Sequence, residues 1–166
     1  MSKQFYLLKR QYRGIWMIFL LLSASAAMAA GQVDTVYRQS VDKPVAEVYD
    51  KLYKSLEDAR FYVVFEPDIG KSLARFSEKW GDDYNRNGLS AIRSMVFCNG
   101  WYANQVSNLD TGMLGLCPLH LTLIEKDGRT TVLFNRPSVI AAGSPALEVI
   151  REIESEVIEA IAQGLK

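Results

Sequence analysis

The side chains with the greatest capacity for chemistry lie within one short stretch of this sequence. Between Met95 and His120 the chain carries both of its cysteines, its single histidine and two of its methionines: Met95, Cys98, Met113, Cys117 and His120. Thiolate and thioether ligands select copper(I), and imidazole also suits zinc or copper. Cys98 or Cys117 with His120 is also the one Cys/His nucleophile–base pairing that this chain can form. The residue types therefore point to thiol chemistry or to a copper or zinc site.

The spacing of these residues counts against a metal site. Met95 and Cys98 are an odd number of positions apart, and so are Cys117 and His120. Residues at odd spacing on a strand point to opposite faces of the sheet. No C-x-x-C pair and no zinc-ligand spacing accompanies them. A strand residue with an ordinarily hydrogen-bonded ring is thus the simpler interpretation of His120.

The two cysteines allow three different states. Cys98 ends one predicted strand and Cys117 begins the next, with positions 99–116 between them. If those strands are neighbours, a disulfide is within reach and would stabilise the fold by about 3 kcal/mol. Cys117 also shares a strand face with Leu119, where a free thiol packs well as a small hydrophobe. Cys98 directly precedes a helix start at Asn99, which favours a reactive thiolate. A structural disulfide, inert thiols and reactive thiols all remain open.

The segment Asp83–Gly88 matches the first half of a calcium-binding loop, D-x-N-x-N-G. The position that should carry the closing bidentate acid is Ser94, and Arg86 places a positive charge inside the loop. We therefore interpret this segment as a turn rich in Asp, Asn and Gly.

Two weaker groupings suggest binding. Four aromatic residues could line an apolar pocket, although residues of this kind more often belong to a core: Trp80, Tyr84, Trp101 and Tyr102. Arg136, Pro137 and a helix start at Ser144 could hold an anion through backbone amides. The sequence contains no nucleophile elbow, phosphate-binding loop, zinc-protease motif or dinucleotide fingerprint.

Positions 1–29 have the order of a secretory signal peptide. Four basic residues come first, Lys3, Lys9, Arg10 and Arg13. An apolar run follows from Ile15 to Leu22, and Ala27-Met28-Ala29 fits a cleavage site. Cleavage after Ala29 would leave one domain, 30–166, in the periplasm or outside the cell. The alternative is an uncleaved anchor over Gly14–Ala30, which is at the short limit of the length that a membrane span needs.

The net charge of the mature domain argues against nucleic-acid binding. Once the four basic residues of the leader are removed, 15 Lys and Arg face 19 Asp and Glu, a formal charge of −4. An acidic domain has no general attraction to phosphate backbones. No further segment approaches spanning length, so no stable membrane span is expected after cleavage.

The remaining pattern predicts an α+β fold. Asp42-Lys43-Pro44 opens a predicted helix, with Asp42 as N-cap and Pro44 in the first turn, and apolar residues at three- and four-residue steps mark its buried stripe from Val45 to Leu56. A second helix is predicted from Ser144 to Gly164, with Ser144 as N-cap and Pro145 at its first position. A short helix is expected over Ser72–Trp80 and another over Asn99–Asn108. Strands are predicted at 33–41, 61–65, 92–98, 117–125 and 130–135, with a type I′ turn at Asp127-Gly128. Two long helices would then cover one face of a mostly antiparallel sheet.

Several of these residues resemble the domain-of-unknown-function family 302 (DUF302). Phe97-Cys98-Asn99 with Ala103 is similar to the Cys-Asn-Pro…Ala motif of that family, and Leu116-Cys117-Pro118 is similar to its later Leu-Pro-Cys step. The Asp127-Gly128 turn and Arg136-Pro137 also match, so the resemblance covers 33–162. Gly100 replaces the usual proline, and the Cys-Pro order is reversed, which would turn the second cysteine to the other side of the strand.

The resemblance implies a TATA-binding-protein-like arrangement of strand, helix, strands and helix, and a homodimer, but no activity. We predict a soluble exported protein with a non-enzymatic binding or accessory role toward a small ligand or a protein. Its expected working surface comprises Cys98, Asn99, Trp101, Cys117 and His120, near Tyr102. The alternative is a thiol- or metal-handling protein that uses Cys98, Cys117 and His120 with copper or zinc.

Overall fold

The computed structural model describes residues 34–166 as a five-stranded antiparallel sheet with helices, which confirms the α+β prediction. The predicted leader lies outside the described residues. The strands are β1 (Val36–Val41), β2 (Tyr62–Phe65), β3 (Ala91–Cys98), β4 (Leu119–Lys126) and β5 (Arg129–Asn135). The helices are α1 (Val45–Asp58), α2 (Ile69–Ala74), α3 (Ser77–Trp80), α4 (Gly100–Leu109), α5 (Pro137–Ile140) and α6 (Leu147–Gly164), with 3₁₀ turns at Gly81–Asp83 and Thr111–Leu116. The strand order is β1-β5-β4-β3-β2.

The centre of the sheet is built from the two hairpin strands and β3. β4 and β5 are joined at Asp127 and Gly128, whose φ angles of 51° and 73° are both positive, as a type I′ turn requires. β3 pairs with β4 from Ala91↔Glu125 to Phe97↔Leu119. Alternate residues of the three strands therefore point to one buried face: Met95, Phe97, Leu121, Leu123, Val132 and Phe134.

The two long helices cover that face. α1 buries Val48, Leu52 and Leu56, the stripe predicted from the apolar spacing, and α6 buries Val157 and Ile161 in the same core. One charged residue of α6 is also buried, Glu154, which is 4% exposed. None of the helices within 34–166 is both long and apolar enough to cross a membrane.

Both long helices begin later than their sequence signals predict, and neither cap prediction was right. Pro44 is the N-cap of α1, and the backbone N–H of Val45 donates to the Glu125 carboxylate at 2.7 Å. Asp42 instead accepts from Arg129 at 2.6 Å. α6 begins at Leu147, with Ala146 as its N-cap. A side chain suited to capping can thus form its hydrogen bond with a residue distant in sequence, and the local sequence pattern does not reveal that partner.

Ser144 and Pro145 lie in the turn before α6. The Ser144 hydroxyl donates to Asp110 at 2.7 Å and accepts from the Ala146 N–H at 3.1 Å. The helix predicted over Ser72–Trp80 is in fact two short helices, α2 and α3, and the Asp68 side chain caps α2 by accepting from the Lys71 N–H at 2.8 Å. The predicted strand at 117–125 begins at Leu119, after the cis Cys117-Pro118 peptide bond and the 3₁₀ turn before it.

Candidate functional site

The pairing of β3 with β4 brings the two cysteines together. Phe97 and Leu119 are register partners, so Cys98 at the end of β3 lies beside Cys117 just before β4. Their Sγ atoms are 3.0 Å apart, and both thiols are free. A disulfide bond is about 2.05 Å long, so a small movement would join the two sulfur atoms. The condition set for a disulfide, that these strands are neighbours, is met, and the disulfide itself remains a prediction.

Asn99 holds the start of α4 directly after Cys98. Its side-chain oxygen accepts from the N–H groups of Trp101 at 3.0 Å and Tyr102 at 3.2 Å. These are two of the amides that have no partner inside the helix, so the predicted N-cap is confirmed. The cap fixes the first turn of α4, and Tyr102 points into the core, where it is 7% exposed.

The thiol of Cys117 is unsuited to nucleophilic attack. Although Cys117 as a whole residue is exposed, desolvation of its sulfur and, after that, the neighbouring Cys98 thiol raise its pKa to about 11. A thiol with that pKa is almost entirely protonated at neutral pH, and the thiolate is the reactive form. Its chemistry at neutral pH is therefore that of a packed thiol or a disulfide partner.

The two cysteines lie at an apolar cavity of about 40 Å³, here called the cysteine pocket. One water needs roughly 10–15 Å³ on the same measure, so the pocket admits a group of about three or four heavy atoms. A complete drug-sized ligand needs roughly 300–1,000 Å³. The lining residues are Phe61, Cys98, Asn99, Tyr102, Ala103, Val106, Met113, Leu114, Leu116, Cys117, Leu119, Pro137, Ile150 and Ile153.

The Tyr102 phenol of the cysteine pocket is engaged by the protein. Its hydroxyl donates to the Glu156 carboxylate at 2.8 Å. Burial, followed by this hydrogen bond, raises the pKa of Tyr102, so the phenol stays neutral. Among the described residues, no carboxylate and no imidazole lines the pocket. The pocket can therefore hold an apolar group beside two sulfur atoms, and its described lining carries no acid–base pair.

The structure separates other residues that the sequence grouped with the cysteines. His120 is exposed on β4 and does not line the cysteine pocket, and Trp101 is 66% exposed on α4. Met95 is fully buried in the core, whereas Met113 lines the pocket. Across residues 34–166, no three His, Cys, Asp or Glu side chains gather where they could hold a metal ion. The geometry gives no support to a copper or zinc site made by Cys98, Cys117 and His120.

The structure also divides the two weaker groupings, the four aromatic residues and the possible anion site. Of the four aromatic residues, Tyr102 lines the cysteine pocket, Trp80 and Tyr84 line a separate groove, and Trp101 lines neither. Arg136 donates to Glu154 at 2.7 Å, so its charge is already paired inside the protein. The Arg136 and Ser144 side chains thus have partners inside the protein, and this geometry gives no support to an anion site there. In the Asp83–Gly88 turn, Arg86 pairs with Asp83, in keeping with the interpretation as a turn.

Part of the lining of the cysteine pocket was not predicted from the sequence. Ile150 and Ile153 from α6 line the cavity together with Pro137. Their apolar spacing marked them as buried, but nothing in that spacing distinguishes a core residue from the lining of a cavity.

The molecule is thus an α+β domain in which two long helices cover one face of an antiparallel sheet, with a dithiol and a small apolar cavity at one end of the sheet. The chain belongs to the family described as Domain of unknown function DUF302, whose model matches residues 37–164. The family expected from the cysteine motifs is therefore confirmed.

A solved structure shows the same fold. It is the crystal structure of the uncharacterized conserved protein DUF302 from Bacillus stearothermophilus, with 20% sequence identity and a TM-score of 0.67. The match covers 78% of this chain and 98% of that one. No curated protein matches this chain.

Proposed function

We propose that this protein is an exported, non-enzymatic binding protein whose cysteine pocket receives an apolar group of a small ligand or of a partner protein. The observation that carries the proposal is the cavity itself: an apolar space beside two sulfur atoms 3.0 Å apart, at the end of the sheet. Leu114 lines the pocket and is 38% exposed, which provides a side open to solvent.

The size and chemistry of the pocket support binding over catalysis. About 40 Å³ suits the end of an alkyl chain or a small apolar side chain. The ionisable groups among the described lining residues are two thiols and a phenol, of which Cys117 and Tyr102 have raised pKa values. Without a carboxylate or an imidazole in that lining, the pocket offers no general base for a hydroxyl or thiol nucleophile.

Export would determine the state of the cysteines. The basic, apolar and small-residue order of positions 1–29 supports secretion to the periplasm, which is an oxidising compartment. There Cys98 and Cys117 would be joined as a disulfide, tying the 3₁₀ turn at Thr111–Leu116 to the end of β3. A homodimer, which the family resemblance implies, belongs to the same proposal.

Methionine NMR signals test whether the pocket binds an apolar group. In protein with ¹³C-labelled methionine methyl groups, titration with 1-hexanol should shift the Met113 signal, because Met113 lines the pocket. The Met95 signal should stay in place, because Met95 is fully buried in the core and lies outside the pocket lining. A Met113 signal that does not move, or a Met95 signal that moves equally, would count against the proposal.

A matched pair of variants adds a control. Ala103→Leu places three extra carbon atoms on a pocket-lining residue and should abolish the hexanol-induced shift of Met113. Ala46→Leu makes the same change at an exposed position of α1 and should leave the shift unchanged. If Ala103→Leu disturbs folding, the comparison of Met113 with Met95 in the unmodified protein still decides the question.

The sulfur geometry favours one second candidate, a thiol-exchange protein. Cys98 and Cys117 would react with a small-molecule disulfide to give the protein disulfide and two molecules of reduced thiol, so that atoms and electrons balance. Equilibration with glutathione buffers measures the reduction potential. A value above about −230 mV would favour thiol exchange, and a value below about −300 mV would favour a structural disulfide.

A further inference from the structure

A second and larger cavity lies at the opposite end of β3. It is a groove of about 870 Å³, here called the Arg93 groove, which is within the size range of small-molecule sites. Arg93 is five positions before Cys98 on the same strand, a separation of about 16 Å along β3. Its lining includes Asp68, Trp80, Asp83, Tyr84, Arg93 and Glu125. It is therefore separate from the cysteine pocket.

Arg93 lines this groove, and within residues 34–166 the Nε of its guanidinium group has no hydrogen-bond acceptor. Its Cζ lies 4.0 Å from the centre of the Tyr49 ring, a cation–π contact that holds the side chain in place. Its Nε is buried without a hydrogen-bond partner, and among residues 34–166 no Asp or Glu oxygen lies within ion-pair distance of the guanidinium. Buried donors almost always have an acceptor, so an arginine in this state calls for an explanation.

The acidic residues of the groove are held by donors other than Arg93. Glu125 accepts from the Val45 N–H at 2.7 Å and from the Ser90 hydroxyl at 2.8 Å. The Asp68 carboxylate accepts from the Lys71 N–H at 2.8 Å. Asp83 pairs with Arg86.

The groove also has an aromatic wall. Trp80 lines it, is 40% exposed, and stacks on Phe76 with ring centres 5.1 Å apart. Tyr84 lines the groove as well. A flat, partly apolar molecule could lie against these rings while an acidic group reached Arg93.

We propose that the Arg93 groove binds a small organic anion, whose carboxylate or phosphate oxygens accept from the Arg93 guanidinium and whose flat part lies against Trp80 and Tyr84. The planar fork of arginine matches both kinds of oxyanion. This site is independent of the cysteine pocket and does not rest on the function proposed for it.

The test observes the Arg93 Nε–H group directly. Purified ¹⁵N-labelled protein is titrated with sodium benzoate or phenyl phosphate at constant ionic strength, with benzamide as the uncharged analogue and sodium chloride as the salt control. Both anions should shift the Arg93 Nε–H signal in a saturable way, and benzamide and chloride should not. A response to only one of the two anions would support the proposal and identify the acidic group that the site prefers. An unmoved signal with both anions, or an equal response to benzamide, would overturn it.

Two variants distinguish a specific role of Arg93 in anion binding from the effect of removing any positive charge. Arg93→Met keeps an unbranched apolar stem over Tyr49 but removes the donors, and it should weaken benzoate binding about tenfold or more. Arg151→Met removes a cation that lies outside the groove and is paired with Glu148, and it should leave the affinity unchanged. Equal losses in the two variants would refute a specific role for Arg93. The Nε–H titration decides the matter if Arg93→Met fails to fold.

Discussion

Gly164 at the end of α6 offers the sharpest test of the packing between the two long helices. A Cβ atom added at this position would lie 2.6 Å from the Cα of Leu52 on α1, and 3.1 Å from both the backbone N and the Cδ1 of that residue. Two of these three atoms belong to the backbone, so a side-chain rotation cannot relieve the contact. Gly164 was predicted simply to end the helix, whereas the structure shows that it lets α6 approach α1 closely.

The expected effect of Gly164→Ala is the balance of two opposing terms. Alanine in place of glycine in a helix usually stabilises a protein by up to about 1 kcal/mol. Overpacking of a filled interface costs about 1–3 kcal/mol. If the last turn of α6 moved away instead, Leu165, now 6% exposed, would lose burial at a cost of up to about 3 kcal/mol. We expect a net loss of about 1–2 kcal/mol, equivalent to a fall in Tm of about 2–8 °C.

Urea unfolding followed by tryptophan fluorescence measures this loss, and Gly100→Ala is the matched control. Gly100 is the first residue of α4, and a Cβ atom there would meet nothing within 4 Å. Gly100→Ala should therefore be neutral or stabilising by up to about 1 kcal/mol. If Gly164→Ala were as stable as the unmodified protein while the control behaved as expected, the close contact with Leu52 would not limit this position.

Three further predictions concern single residues. Gly100→Pro should stabilise the protein by about 0.4–1 kcal/mol in urea denaturation, because proline suits the first position of a helix, and a loss of stability would contradict this. Burial acts to raise the pKa of Glu154, but hydrogen bonds from Ser138 and Arg136 outweigh it and hold the pKa below its usual value. The stability that ionised Glu154 contributes is therefore fully present above its pKa in the unfolded chain and is lost as the pH falls through its pKa in the folded protein. Glu154→Gln should lower the free energy of unfolding by about 1–3 kcal/mol at pH 7 and by less at pH 3, as measured by urea titration. An equal loss at both pH values would refute this. In the reduced protein at pH 8, iodoacetamide should modify Cys117 about 100-fold more slowly than a thiol of pKa 9, as followed by peptide mass spectrometry, and a similar rate would contradict its raised pKa.

Local features of this fold could be predicted because their causes lie within a few residues of one another. The stripe of Val48, Leu52 and Leu56 shows the buried face of α1 through its three- and four-residue spacing. Asn99 caps α4 through amides only two and three residues away. The Asp127-Gly128 turn follows from the positive φ angles that those two residue types tolerate.

The cap predictions failed where distant partners competed for the same side chain. Asp42 lies 87 residues from Arg129, and Ser144 lies 34 residues from Asp110, yet these pairs hold the side chains that were expected to cap the long helices. Such competition cannot be read from a short window of sequence, because either role satisfies the polar atom equally well.

The sequence by itself determined the helix and strand types, the family and the pair of cysteines that could meet, because residue periodicity and turn chemistry act over short distances. Tertiary structure decided that Cys98 and Cys117 lie beside an apolar cavity and that His120 lies outside its lining. It also decided that Arg93 lines a groove while its Nε has no acceptor among residues 34–166. Each of these depends on strand register and on helices packed from elsewhere in the chain. A cavity, or a buried donor without an acceptor, arises from how several segments pack together, and no single segment of the sequence encodes it.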